Sequence, residues 1–151
     1  MTNREKNIRT GICIVVLVLA GVVASLAAAV PPPGDFDTGA VLRAIRQVET
    51  GGCADPANAT GDGGRAIGPY QIHRVYWQDA VEYDPSIGGT YADCRDEAYA
   101  RRVVVAYLSR YIRSGTEWTP ERCARVHNGG PKGHRKAATV KYWRKVESFL
   151  R

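Results

Sequence analysis

The sequence has few cysteines and few histidines, and this scarcity excludes several kinds of site. Its 151 residues include four cysteines and three histidines. The cysteines form no CxxC pair, and the histidines do not stand at metal-ligand spacing from them, which excludes a zinc site of the usual kind. The chain also lacks a phosphate-cradling glycine loop and any internal repeat. We therefore predict that the protein uses no metal and no cofactor.

A long apolar run occurs at the N-terminus alone. The basic stretch MTNREKNIRT precedes residues 11–30, which carry no charge and include the small residues Ala27, Ala28 and Ala29. This layout predicts a signal peptide over residues 1–29. The run also has the length of a membrane span of about 20 residues, so an uncleaved anchor is the alternative.

Either form of the leader predicts an exported chain, either secreted or held at the cell envelope. A proline-rich spacer over residues 30–36 follows the leader, and residues 37–151 have the length of one globular domain. We expect a monomer that contacts a membrane only if the leader is uncleaved.

The C-terminal end of the chain is strongly basic. Residues 132–151 contain seven basic side chains and a single acid, Glu147. Such a patch attracts anionic polymers, and for an exported chain we predict a cell-wall polymer and not nucleic acid. The alternative is a solvated helix face with no partner. The basic residues are Lys132, Arg135, Lys136, Lys141, Arg144, Lys145 and Arg151.

Apolar residues recur at helical spacing in most of the remaining chain. The spacing predicts helices over residues 37–50, 94–113, 119–129 and 137–150, of which the second is the longest and the centre of the core. Between the first two, Gly61, Gly63 and Gly64 surround Asp62, which predicts tight turns or a small β-hairpin. The fold class is therefore α+β, mainly α.

Glu49 and Asp62 are candidates for a pair of catalytic acids. Cleavage of a glycosidic bond needs one carboxyl that donates a proton and a second that attacks the sugar, stabilises its positive charge or activates water. Glu49 ends an apolar helix, where burial should favour the protonated form, whereas Asp62 lies in an open glycine-rich turn that should keep it ionised. The alternative is two ordinary surface carboxylates.

Four sequence blocks carry a resemblance to a known family. They are ETGGC at residues 49–53, GD at 61–62, GPYQIHRVYWQDA at 68–80 and ERCARVHNGGPKG at 121–133. In order and spacing they resemble the invertebrate-type lysozymes, which include the destabilases, over roughly residues 40–146. The resemblance implies a lysozyme-like catalytic domain over residues 37–151 that cleaves the β-1,4 bond between N-acetylmuramic acid and N-acetylglucosamine in peptidoglycan.

The resemblance also assigns roles to individual residues. Glu49 corresponds to the family's proton donor, and Asp62 to its second carboxylate, a nucleophile or electrostatic stabiliser. Aromatic rings can stack on sugars, and amide and imidazole groups can bond to their hydroxyl and N-acetyl groups. As alternatives, Trp77 and Tyr107 could be core residues, and His127 could close its helix. The residues implied to bind substrate are His73, Tyr76, Trp77, Tyr107, His127, Asn128 and Gly129.

The family resemblance implies a disulfide between Cys53 and Cys94, with Cys123 free. Two other functions are compatible with the sequence. A lytic transglycosylase would use Glu49 alone and would not need Asp62. A non-catalytic cell-wall-binding module would bind polymer through the basic tail and the aromatic residues without cutting it.

Overall fold

The structure is a computed structural model that describes residues 36–112 and 118–151. The leader predicted at residues 1–29, and all but the last residue of the spacer, lie outside the described residues. Within the two described ranges, no helix has both the length and the apolar character needed to cross a lipid bilayer.

Five α-helices make up most of the described chain, and the prediction of an α+β, mainly α fold is confirmed. The prediction missed α2, because Ala80 is the one residue of that helix that is fully buried and its apolar pattern is correspondingly weak. The helices are α1 (Thr38–Thr50), α2 (Arg74–Tyr83), α3 (Glu97–Tyr111), α4 (Pro120–Gly129) and α5 (Ala138–Ser148).

The predicted hairpin near Asp62 is a small sheet of three antiparallel strands, β1 (Thr60–Gly61), β2 (Ala66–Ile67) and β3 (Ile72–His73). Gly61 pairs with Ala66, and Ala66 pairs with His73. Directly paired residues lie on the same face of a sheet. The register therefore places Gly61, Ala66 and His73 on one face of the sheet. Asp62 directly follows Gly61 in the chain.

Helix α3 contributes most to the hydrophobic core, as predicted. Val103, Val104 and Leu108 are almost completely buried, and they belong to one cluster with apolar residues of the other helices. The helix begins later than predicted because the Asp96 side chain caps it, accepting a hydrogen bond from the Tyr99 N–H at 2.8 Å. Residues Tyr91–Arg95 form a separate 3₁₀ turn.

The cysteine pairing implied by the family resemblance is not present. Cys53, Cys94 and Cys123 are all unbonded. Cys94 is fully buried in the core, whereas Cys53 is exposed just after α1, so the two thiols occupy different environments. Burial raises the pKa of the Cys94 thiol and of the Cys123 thiol to about 12, so both remain protonated at neutral pH.

Candidate active site

A cleft of about 330 Å³ lies between the small sheet and the helices. Six of the nine residues predicted for the site line it, and they come from five different parts of the chain. Its lining residues are Glu49, Gly61, Asp62, Ala66, Gln71, His73, Tyr76, His127 and Asn128.

Glu49 lies in the last turn of α1, with its side chain 19% exposed. The hydroxyl of Tyr142, on α5, donates a hydrogen bond to Glu49 Oε1 at 2.7 Å. The Nε2 atom of His127, on α4, lies 3.6 Å from the same oxygen. Three helices therefore meet at this carboxyl group.

Burial and hydrogen bonding act in opposite directions on Glu49. Burial, the largest single influence, raises its pKa. The hydrogen bond and charge of His127, the hydrogen bond of Tyr142 and the charge of Lys145 lower it, and together they hold the pKa of Glu49 below its ordinary value of 4.5. The expectation that Glu49 holds a proton in the free protein near neutral pH is therefore wrong, because its hydrogen-bond donors stabilise the carboxylate more than burial destabilises it.

His127 is itself held by a second, partly buried tyrosine. Its side chain is 4% exposed, and its Nδ1 atom lies 3.1 Å from the Tyr76 hydroxyl. Burial raises the pKa of Tyr76 well above its ordinary value, so the hydroxyl stays protonated and can donate to Nδ1. In that arrangement a neutral His127 carries its proton on Nε2, facing Glu49.

Asp62 lines the cleft from the sheet, directly after β1, and its side chain is 59% exposed. Its Oδ2 atom is 3.1 Å from His73 Nε2. The backbone of Asp62 has a φ of 53°, a left-handed conformation that aspartate tolerates better than most residues. Arg65 Nε donates to the Asp62 carbonyl at 2.9 Å and so closes the turn.

Three residues predicted to bind substrate do not line the cleft. The Trp77 indole donates to the Tyr99 hydroxyl at 2.9 Å and packs against the core. Tyr107 is buried beneath Tyr76, with the two rings stacked 3.5 Å apart between centroids. Gly129 lies at the end of α4, where a Cβ atom would collide with Thr139 of α5.

Four residues of the site were not predicted from the sequence. Gly61 and Ala66 form the floor on the sheet face, and Gln71, with a φ of 48°, contributes its side chain to the lining. Gly61 leaves room for the Gln71 amide oxygen, which a Cβ atom would meet. Gln71 belongs to the GPYQIH block and could have been found there. Tyr142 could not, because nothing in the local pattern links it to Glu49.

The cleft brings two carboxyl groups and two imidazoles together, namely Glu49, Asp62, His73 and His127. In residues 36–112 and 118–151, however, no three histidine, cysteine, aspartate or glutamate side chains are grouped closely enough to hold a metal ion. The arrangement consists of two carboxylates from different elements, each beside an imidazole, and one carboxylate is largely buried while the other is exposed.

Comparisons with known proteins identify relatives of this chain. The sequence model of a family described as Destabilase matches residues 38–149. "Lysozyme 1" of Crassostrea virginica is 40% identical over 125 residues, which cover 76% of this chain and 63% of the oyster protein. The lysozyme of Ostrea edulis is 35% identical over 135 residues, 88% of this chain and 93% of the relative.

Two solved structures share the fold. The crystal structure of Tapes japonica lysozyme superposes with a TM-score of 0.60 at 30% sequence identity, covering 77% of this chain and 92% of that one. Meretrix lusoria lysozyme, in complex with PliI of Aeromonas hydrophila, superposes with a TM-score of 0.59 at 29% identity. That match covers 72% of this chain and 87% of the other.

Proposed function

Since the chain belongs to the Destabilase family of invertebrate-type lysozymes, we propose that it is a peptidoglycan hydrolase. In this proposal it cleaves the β-1,4 bond between N-acetylmuramic acid and N-acetylglucosamine. The names of the relatives support the enzyme class expected from the sequence, a glycoside hydrolase.

One observation carries this proposal: a largely buried carboxyl and an exposed carboxylate line the same cleft. Glycoside hydrolysis needs two carboxyl groups with unlike properties, one to donate a proton and one to remain charged. Glu49, 19% exposed, fits the first role, and Asp62, 59% exposed, fits the second.

Glu49 acquires its proton when the substrate binds. In the open cleft its hydrogen bonds favour the carboxylate, but burial already raises its pKa more than any other single influence does. A sugar chain in the cleft removes the remaining water around the carboxyl group. This further desolvation favours the neutral form, so substrate binding promotes uptake of the proton that catalysis requires.

The chemical step then uses both walls. Glu49 donates its proton to the glycosidic oxygen as the bond from that oxygen to the sugar carbon breaks. Asp62 attacks the same carbon or stabilises the positive charge that develops on it, and His73 holds Asp62 in position. A water molecule completes the hydrolysis by adding its hydroxyl to the carbon and returning a proton to Glu49, and where Asp62 has bonded to the carbon, this addition breaks that bond and releases the Asp62 carboxylate.

The two alternative functions make different demands on these residues. A lytic transglycosylase would need Glu49 alone, and the placement of Asp62 beside His73 in the cleft favours the hydrolase. A wall-binding module would need neither acid, and the two donors directed at Glu49 favour a chemical role.

The test is a product analysis of purified peptidoglycan by mass spectrometry. We expect reducing-end muropeptides, a loss of about 10²–10⁴-fold in rate for Glu49→Gln, and a loss above tenfold for Asp62→Asn. Glu82→Gln, which removes an exposed glutamate paired with Arg110, is the matched control and should leave the rate unchanged. Anhydro products together with an unaffected Asp62→Asn variant would indicate a transglycosylase. Binding without turnover would indicate a wall-binding module.

We also propose that the protein is exported by residues 1–29 and acts outside the cell as a monomer. The apolar leader and the proline-rich spacer support this location, since peptidoglycan lies outside the membrane. Detection of a mature chain that begins near residue 30 in the secreted fraction would test it.

A further inference from the structure

The basic C-terminal segment forms an exposed surface that the catalytic proposal does not use. Four of its side chains, which we term the basic rim, are Lys136, Lys141, Arg144 and Lys145, and all four are exposed. The single acid of the segment, Glu147, pairs with Arg151.

Four arginines outside the basic rim are neutralised by acidic side chains. They pair with carboxylates at 2.6 to 3.4 Å. Throughout the described ranges, by contrast, no carboxylate forms an ion pair with any of the four rim residues. The neutralised pairs are Arg43–Asp37, Arg46–Glu97, Arg110–Glu82 and Arg125–Glu121.

The rim begins at the edge of the cleft. Tyr142 of α5 reaches into the site. Because a helix turns about 100° per residue, Lys145 lies about 60° and Lys141 about 100° around the helix axis from Tyr142, both on the same side. The buried Val146 lies on the other side of Tyr142. The positive charge of Lys145 is near enough to Glu49 to lower the pKa of Glu49.

A second contact joins the rim to the cleft from the α4 side. Lys136 Nζ donates to the Gly129 carbonyl at 2.6 Å. Gly129 follows Asn128, which lines the cleft. The positive surface therefore extends outward from the cleft wall formed by α4 and α5.

We propose that the basic rim binds the free carboxylates of the peptide stems carried by the glycan strand in the cleft. This inference rests on the proposed function. A polymer bound elsewhere on the wall would not require the charges to adjoin the cleft. Binding of stem peptides does require charges next to the cleft, because these peptides are attached to the muramic acid units of the strand that is cut. The rim would thus select peptide-bearing, anionic glycan over a neutral amino-sugar chain.

The experiment compares two forms of one substrate. Peptidoglycan freed of teichoic acids is used either unmodified or after its carboxylates are converted to neutral amides with a carbodiimide and ammonia. The variant Lys141→Gln/Arg144→Gln removes two rim charges that contact neither catalytic acid. The control Arg43→Gln/Arg101→Gln removes two charges from α1 and α3, away from the cleft lining.

On the unmodified substrate at low salt, we expect the rim variant to lose about three- to tenfold in kcat/KM, an effect that salt should screen. On the amidated substrate the rim variant should match the wild type. The control variant should match the wild type on both substrates. Unchanged melting temperatures establish that the variants are folded.

Equal rates for the rim variant and the wild type on unmodified substrate would overturn the inference, as would equal losses on both substrates. A loss confined to walls that retain teichoic acids would assign the rim to that polymer instead and would also overturn it. If the wild type cuts neither substrate, the proposed function fails. Co-sedimentation with the two substrates then still tests whether the rim recognises carboxylates.

Discussion

At the scale of single residues, the chemistry depends on what surrounds Glu49. A carboxyl at the end of an apolar helix is desolvated, and desolvation alone would favour its neutral form. Tyr142 and His127 reverse that outcome by directing a hydroxyl and an imidazole at Oε1. The acid is therefore held in position as a carboxylate, and its protonation is coupled to the state of the cleft.

Replacement of His127 by glutamine should move the pH profile. Interactions with His127 lower the pKa of Glu49, so without them the pKa should rise toward the value set by burial. A general acid with a higher pKa keeps its proton to higher pH. We expect the alkaline limb of the kcat/KM profile to shift to higher pH in His127→Gln. In the control, His134→Gln, it should stay in place, and an unshifted limb in His127→Gln would contradict this account.

The stability of the fold should also depend on the ionisation of Glu49. Its pKa in the folded state lies below the ordinary 4.5, so the carboxylate contributes stability that is present above pH 4.5 and lost as the pH falls through the folded pKa. We expect Glu49→Gln to lose less stability than the wild type between pH 5 and about pH 3. Urea unfolding at both pH values measures this, and parallel curves for the two proteins would contradict it.

At the scale of elements, the spacing of α4 and α5 determines the geometry of the proton donor. Helix α4 carries His127 and α5 carries Tyr142, the two partners of Glu49. The helices touch where Gly129 meets Thr139, a buried residue whose hydroxyl donates to the Gly133 carbonyl at 2.8 Å. The role of Gly129 in this contact is to allow close packing.

Gly129→Ala should therefore disturb both the fold and the site. The added methyl group would collide with the Thr139 side chain and force α5 away from α4. Overpacking of this kind costs typically about 1–3 kcal/mol, and we expect kcat to fall with the displacement of Tyr142. Gly52→Ala is the control, since no atom lies near the position of its added Cβ. Urea unfolding and initial rates measure the two effects, and a Gly129→Ala variant as stable and active as wild type would contradict the packing role.

At the scale of the whole molecule, catalysis requires that two separately built walls keep a constant distance. One wall is the small sheet with Asp62, and the other is formed by helices around Glu49. The Thr50 hydroxyl at the end of α1 donates to the Pro69 carbonyl at 2.8 Å, and this hydrogen bond is buried. It links the helical wall to the segment between β2 and β3.

Thr50→Val should loosen the connection between the walls. Valine keeps the shape of threonine but leaves the buried Pro69 carbonyl without its donor, a loss of about 1–3 kcal/mol in the free energy of unfolding. We expect a lower kcat as well, because the two acids would no longer be held at a constant separation. Thr60→Val, at an exposed position in β1, is the control. A Thr50→Val variant with wild-type stability would show that the bond does not join the walls.

The sequence by itself determined the helical character of the fold, the position of the small sheet and the identity of two candidate acids. These features follow from short-range patterns: apolar residues at helical spacing in α1 and α3, and clustered glycines around Asp62. The weak apolar pattern of α2 escaped prediction for the same reason, since burial of Ala80 alone leaves little periodic signal.

The tertiary structure alone decided the partners of Glu49, and with them the direction of its pKa. Tyr142 lies 93 residues from Glu49 along the chain, and their contact requires α1 and α5 to pack together. The tertiary structure also placed Trp77, Tyr107 and Gly129 in packing contacts outside the cleft lining. Periodicity reports which face of a segment is buried, but which side chains meet across that buried face depends on how the segments pack.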